Sequence, residues 1–175
     1  MQPQHLILIG FMGTGKSTVG RILADRLGRP WTDTDTEVER KTGKTIPELF
    51  RERGEIFFRE WEKRILEERL QKESGVITTG GGIVLDPTNV KRMKEAGWVV
   101  TLDASEEELI RRLDHDPSRP LLAGDLRERV RKLKRERAGA YDFADLYLDT
   151  TDLAPLEVTE RILEKWKEVT GSAGV

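Results

Sequence analysis

Cysteine does not occur in this chain, and histidine occurs only as His5 and His115. The first absence removes disulfides, thiolate metal sites and cysteine nucleophiles together, and it suits a reducing compartment, so a cytoplasmic protein is expected. The second leaves too little material for a multi-histidine zinc centre or a Ser/His/Asp triad, which sets hydrolase chemistry aside. A surplus of charge is also missing: 30 Lys+Arg stand against 32 Asp+Glu. Nothing in those totals draws the chain to nucleic acid or to an anionic membrane, and neither is expected as a partner. Long apolar runs are lacking as well. The first run, His5 to Ile9, has no basic lead and meets Gly10 after five residues, too early for a signal peptide or a membrane span. Asparagine appears only at Asn89 while 35% of the residues are charged, the depletion of thermolabile residues expected of a heat-adapted protein.

What is present is an alternation. The apolar run at His5 to Ile9 ends in a glycine-rich turn, and the periodic "KSTVGRILADRL" after it closes at Gly28, a helix C-cap. "GVITT" runs into a triple glycine, "GWVVTL" leads into "SEEELIRRL", and "LYLDT" precedes a helical stretch beginning at Pro155. Strands alternating with helices predict an α/β fold with a parallel sheet of about five strands flanked by helices on both faces. At 175 residues the whole of 1–175 is expected to be one domain. Residues 45–72 read as almost purely helical, with Gly54 as a break. His115 to Asp125, polar and carrying Pro117, Pro120 and Gly124, reads as a candidate lid.

The opening stretch carries the clearest chemistry. Gly10 to Ser17, "GFMGTGKS", matches G-x-x-x-x-G-K-[ST] between a strand and a helix. Backbone N–H groups of such a loop wrap phosphates, the lysine reaches the terminal ones and the serine holds magnesium. Asp33 and Asp35 in "TDTDTE" stand at alternate positions, so on an extended chain both carboxylates point the same way. One could order a water on magnesium while the other accepts a proton from a substrate hydroxyl. The same letters also allow a capping box at Thr34-x-x-Glu37. Arg59 follows two phenylalanines, a setting in which a guanidinium can grip a carboxylate. A plain ion pair with Glu62, one turn on, is the other reading. Gly80, Gly81 and Gly82 cost entropy unless backbone must approach a ligand or adopt positive φ. The helix after the lid is strongly basic and carries Arg137 four residues before Tyr141.

The order "GFMGTGKST", "DTDTE", "FFREWE", "TTGGG", "RPLL" and Arg137-x-x-x-Tyr141 resembles the shikimate kinase family, a small branch of the P-loop, nucleoside-monophosphate-kinase-like fold. The resemblance covers about Leu6 to Tyr147. It implies transfer of the γ-phosphoryl of ATP to the 3-hydroxyl of shikimate with Mg2+, on the route to aromatic amino acids, with 45–72 as the substrate-binding helical region and 115–125 as the lid. It implies that Gly13, Thr14, Gly15, Lys16, Ser17 and Thr18 hold ATP, that Ser17 and, through water, Asp33 serve the metal, and that Arg112 stacks on adenine. An adenine loop falls near Thr151 to Pro155 without residue assignments. Asp35, Phe50, Phe58, Arg59, Gly80, Gly81, Gly82 and Arg137 would form the shikimate pocket, with Lys16, Asp35 and the lid's Arg119 as catalytic residues. The enzyme is expected as a monomer, at most a weak dimer. A related small kinase acting on gluconate, or a nucleotide-dependent binding switch, is the alternative.

Overall fold

The computed structural model describes residues 3–114 and 124–171. Five strands form one parallel sheet in the order β2-β3-β1-β4-β5. They are β1 (His5–Ile9), β2 (Trp31–Asp33), β3 (Val76–Thr78), β4 (Gly97–Asp103) and β5 (Leu146–Asp149). The helices are α1 (Lys16–Leu27), α2 (Thr34–Thr42), α3 (Ile46–Leu70), α4 (Pro87–Ala96), α5 (Glu106–Leu113), α6 (Leu126–Glu136) and α7 (Pro155–Thr170).

The central strand shows why the sheet is covered on both faces. Every residue of β1 is buried, so its side chains must be packed both above and below. Alternate residues take opposite sides: Leu6 and Leu8 pack with Val19 and Leu23 of α1 and Ile162 and Trp166 of α7. Ile7 and Ile9 pack instead with Leu66 of α3 and Met93 of α4. This is the period of two that a strand imposes. Gly28 ends α1 in a left-handed conformation, as its position in the sequence predicted. The helical region expected from residue 45 is α3, which opens with a reciprocal capping box between Thr45 and Glu48 and bends at Gly54 (φ 80°, ψ 170°). Without a β-carbon, glycine reaches that backbone geometry at little cost.

In a parallel sheet all carboxyl ends lie on one edge, and ligands of such folds bind there. The glycine-rich loop after β1, Asp33 at the end of β2, the triple glycine after β3, Asp103 at the end of β4 and Thr150 after β5 all fall on that edge.

Candidate active site

The loop between β1 and α1 is shaped by three glycines with positive φ: Gly10 (139°), Gly13 (80°) and Gly15 (91°). Gly10 has no alternative, since a β-carbon there would lie 2.0 Å from the carbonyl oxygen of Leu102 on β4. Gly15 is the N-cap of α1 and provides no side chain to satisfy the first turn. The free N–H groups and the positive end of the helix dipole therefore face the cleft, an arrangement suited to phosphate. Lys16 is buried and its Nζ donates to the carbonyls of Gly10 and Phe11, each at 2.9 Å. Gly13, Gly15, Lys16, Ser17 and Thr18 line a cleft of about 420 Å³ that also takes in Asp33, Asp35, Gly80, Gly81 and Arg112.

Ser17 and Asp33 meet: Ser17 Oγ donates to Asp33 Oδ2 at 2.8 Å. The extended geometry expected for the two aspartates does not occur. β2 stops at Asp33, which is itself the N-cap of α2 and accepts from the Thr36 N–H at 3.1 Å. Thr34 is thus inside the helix, and the capping box expected there is replaced by an Asp33 cap; Asp35 lies in the first turn of α2. The two carboxylates diverge because the helix turns Asp35 away from Asp33 and toward Gly80. Among the described residues no group of three or more His, Cys, Asp or Glu could cage a metal ion. A hydroxyl beside one carboxylate is what Mg2+ needs when it keeps water and takes its remaining ligands from phosphate.

Gly80 and Gly81 line this cleft, while Gly82 lines a neighbouring cavity of about 490 Å³ together with Arg59 and Glu62. None of Gly80, Gly81 and Gly82 has positive φ, so conformational freedom is not their purpose; close approach is. A β-carbon at Gly80 would lie 2.6 Å from Glu62 Oε1 and 2.7 Å from Asp35 Oδ1, and one at Gly82 would lie 2.2 Å from Arg59 Nη2. At Gly81 the nearest atom would be Arg137 Nη1, at 3.1 Å. Arg59 does form the ion pair with Glu62, Nη1 to Oε2 at 2.7 Å, and a second with Glu55 at 3.1 Å. Its guanidinium also covers the Phe58 ring at 5.1 Å. Burial raises the Glu62 carboxyl above the usual range, with the charges of Arg59 and Arg137 opposing.

Arg137 is not on the helix as the sequence suggested; it is the C-cap of α6. It is 3% exposed, lies over the Phe11 ring at 5.6 Å, and its Nε and Nη1 have no hydrogen-bond partner among the described residues. A buried guanidinium with unused donors is held ready for an anion, because leaving it so is otherwise costly. Tyr141 Oη donates to the Gly81 carbonyl at 2.7 Å, so the Arg137-x-x-x-Tyr141 spacing brings both residues to the same glycine. Phe50 and Phe58 pack on each other, ring centres 5.1 Å apart, within the core between α2 and α3. Neither lines the 420 Å³ cleft, whereas Met12, Ile46 and Thr79, which sequence reasoning missed, do.

Arg112 is pinned by four contacts: Nε donates to Glu108 at 2.6 Å, Nη2 to the Thr150 carbonyl at 2.9 Å, and Nη1 to Thr150 Oγ1 at 3.1 Å and the Gly13 carbonyl at 3.3 Å. It separates the phosphate cleft from a second one of about 370 Å³, lined by Thr14, Thr18, Val158 and residues 150–153. Thr150 was not legible as a site residue, since only the fold brings it to Thr14 and Arg112. Arg119 and all of the candidate lid before Gly124 lie outside the described residues.

A family model described as shikimate kinase matches residues 12–167. The chain is 45% identical over 166 residues to a shikimate kinase of Pelotomaculum thermopropionicum, covering 94% of this chain and 96% of the relative. Against a shikimate kinase of Desulforudis audaxviator it is 46% identical over 147 residues, 84% and 78% of the two chains. The structure of shikimate kinase from Acinetobacter baumannii in complex with shikimate superposes with a TM-score of 0.90 at 37% identity, covering 93% of this chain and 92% of that one. A gluconokinase from Sinorhizobium meliloti reaches 0.63 at 18% identity over 97% and 94% of the two chains, a likeness of fold alone.

Proposed function

Because this chain belongs to the shikimate kinase family of ATP-dependent phosphotransferases, we propose a division of labour for moving the γ-phosphoryl of ATP to the 3-hydroxyl of shikimate. The observation that carries it is the convergence of Arg59, Arg137, Asp35 and Glu62 on Gly80 to Gly82, directly beside the phosphate loop. Shikimate offers one carboxylate and three hydroxyls. Arg59 and Arg137 bind the carboxylate, the unused Arg137 donors and the aromatic faces of Phe11 and Phe58 making the grip planar and poorly solvated. Asp35 accepts hydrogen bonds from the ring hydroxyls, and the backbone of the triple glycine lets the ring lie close.

On the other side the first-turn N–H groups of α1 and Lys16 hold the phosphates. When Mg2+ is bound at Ser17 and, through water, at Asp33, it neutralises charge on the phosphates. Transfer then forms a bond from the acceptor oxygen to the γ-phosphorus, breaks the bond to the bridging oxygen of ADP, and passes the hydroxyl proton to Asp35. Such a reaction needs alignment and positive charge more than covalent help. Lys16 and, from the lid, Arg119 supply that charge; Arg112 and residues 150–155 hold the adenine. A single-domain enzyme of the cytoplasm, a monomer or at most a weak dimer, completes the proposal; the length of 175 residues supports the one domain, the lack of cysteine the cytoplasm, and the balanced charge the absence of nucleic-acid or membrane partners. No helix among the described residues is long and apolar enough to cross a membrane.

The test is ADP release from Mg·ATP with shikimate, with gluconate and with no acceptor. Shikimate should stimulate release by orders of magnitude and yield shikimate 3-phosphate. ATP hydrolysis indifferent to shikimate would return the protein to the class of binding switches, and stimulation by gluconate instead would reassign the acceptor.

A further inference from the structure

Asp33 is fixed by three elements. Its Oδ2 accepts from Ser17 Oγ on α1 and from Thr78 Oγ1 at the end of β3, both at 2.8 Å, while its Oδ1 caps α2. Thr78 is fully buried, and its hydroxyl in turn accepts from Trp31 Nε1 at 3.2 Å. The direction of this relay is set by chemistry. An indole N–H can only donate and an ionised carboxylate can only accept, so the one hydroxyl proton of Thr78 must face Asp33.

Two neighbours on α1 complete the arrangement. A β-carbon at Gly20 would lie 2.2 Å from Thr78 Cγ2 and 3.1 Å from Trp31 Nε1, so only glycine lets the helix settle on this pair. Arg21 covers the outer face of the indole, its guanidinium 4.8 Å from the ring centre. Neither Trp31 nor Thr78 lines the phosphate cleft or the one beside it. They therefore reach bound nucleotide only through Asp33.

We propose that Thr78 and Trp31 are positioning residues for the metal–nucleotide complex, fixing the plane of the Asp33 carboxylate and hence the oxygen it turns toward the water shell of magnesium. This rests on the role given to Asp33 above. Thr78 holds the Oδ2 side while the helix cap holds Oδ1, so the carboxylate cannot swing about its last torsion. Trp31 keeps Thr78 polarised: without the indole donor the hydroxyl regains rotamers in which its proton points elsewhere. Neither residue carries charge or touches phosphate, so both should act on the metal-dependent part of nucleotide affinity and on nothing else.

Calorimetric ADP binding to the full chain, in Mg2+ and separately in EDTA, tests this, with the spectrum of bound Mn2+ in the presence of ADP as a second readout. Thr78→Val should weaken ADP binding roughly tenfold in Mg2+, the worth of one hydrogen bond to a charged group. Binding in EDTA and shikimate affinity should stay at wild-type values. Thr78→Ser should restore the Mg2+ effect, and Trp31→Phe, which suits an edge strand and folds without burying a new polar group, should lose about threefold with the same sign. Trp31→Phe decides the matter should Thr78→Val fail to fold. Wild-type Mg2+ dependence in these variants, or equal losses in Mg2+ and EDTA, would overturn the proposal. Asp33→Asn separates the two levels. If it abolishes the Mg2+ effect while Thr78→Val and Trp31→Phe keep it, only the positioning role falls; if Asp33→Asn keeps it too, the role of Asp33 falls with it.

Discussion

Glu62 presents one carboxylate oxygen to Arg59 Nη1 at 2.7 Å and turns the other, Oε1, toward Gly80, where it has no hydrogen-bond partner among the described residues. The acid is therefore an anchor for the arginine. Its pKa is raised by burial, so it takes up a proton at a higher pH than an exposed glutamate, and the anchor loses its charge in the range above the ordinary carboxylate value. The KM for shikimate should rise as pH falls through that range, with kcat much less affected. Glu62→Gln should show a raised KM at neutral pH and no such acid limb. A limb that persists in the variant assigns the titration to another group.

Gly80→Ala tests the close approach directly. The new methyl would sit 2.6 Å from Glu62 Oε1 and 2.7 Å from Asp35 Oδ1, and neither the buried Glu62 nor the half-buried Asp35 can yield without misplacing the acceptor. A displacement of about an ångström at reacting groups costs on the order of a hundredfold in rate. Shikimate turnover should fall by about that factor, while ADP affinity, which depends on the other half of the cleft, stays put. Loss of both together would mean that the triple glycine supports the fold rather than the pocket.

Lys16→Ala should lower kcat by on the order of a hundredfold or more, because a fixed charge on the migrating phosphoryl group is removed. The fold should survive with a loss of about 1–2 kcal/mol, since Nζ also ties together the carbonyls of Gly10 and Phe11. Turnover measured on a variant shown to be folded by its thermal transition checks both parts.

Much of this was legible in the letters. The five strands, the phosphate loop, the break at Gly54 and the two arginines all announce themselves through periodicity, glycine placement or motif order. Geometry at element ends was not legible. Asp33 and Asp35 read as an extended pair because alternation says nothing about where a strand stops, and the chain turns into α2 between them. Arg137 read as helical because its helix ends one residue earlier, at Glu136, and the first glycine comes only at Gly139. The contacts of Glu62 with Gly80, of Tyr141 with Gly81 and of Thr150 with Arg112 join residues far apart in sequence. Only the topology of the sheet brings them together.

Outside the site, His5 gives the molecule an acid sensitivity of its own. The imidazole is 1% exposed, its Nε2 lies 3.3 Å from the Leu70 carbonyl, and burial, aided by the charge of Arg29, lowers its pKa. The unfolded chain then binds the proton more readily than the folded one. Stability contributed by the neutral ring is complete above the unfolded pKa of about 6.5 and is lost as pH falls from there through the lower folded value. Urea midpoints should decline over that window in the wild type and flatten in His5→Gln. Glu37 and Glu108, held near a pKa of about 2 by arginines, give up their contribution only at more acidic pH, so the two effects separate.

The place of β1 between β3 and β4 bears on how the enzyme comes into being. Leu8 pairs with Thr78 and with Val100, so β1, which precedes both partners in the chain, must wait until β4 has been made before it has both neighbours. Closing the intervening loops before any pairing reward makes this a late, non-local step. Gly10 takes its shape against Leu102, so nucleotide can recognise only a chain that has already completed its sheet. ATP should accordingly slow unfolding while leaving the rate of folding almost untouched, which makes the ligand a guardian of the finished enzyme and no help to a nascent one.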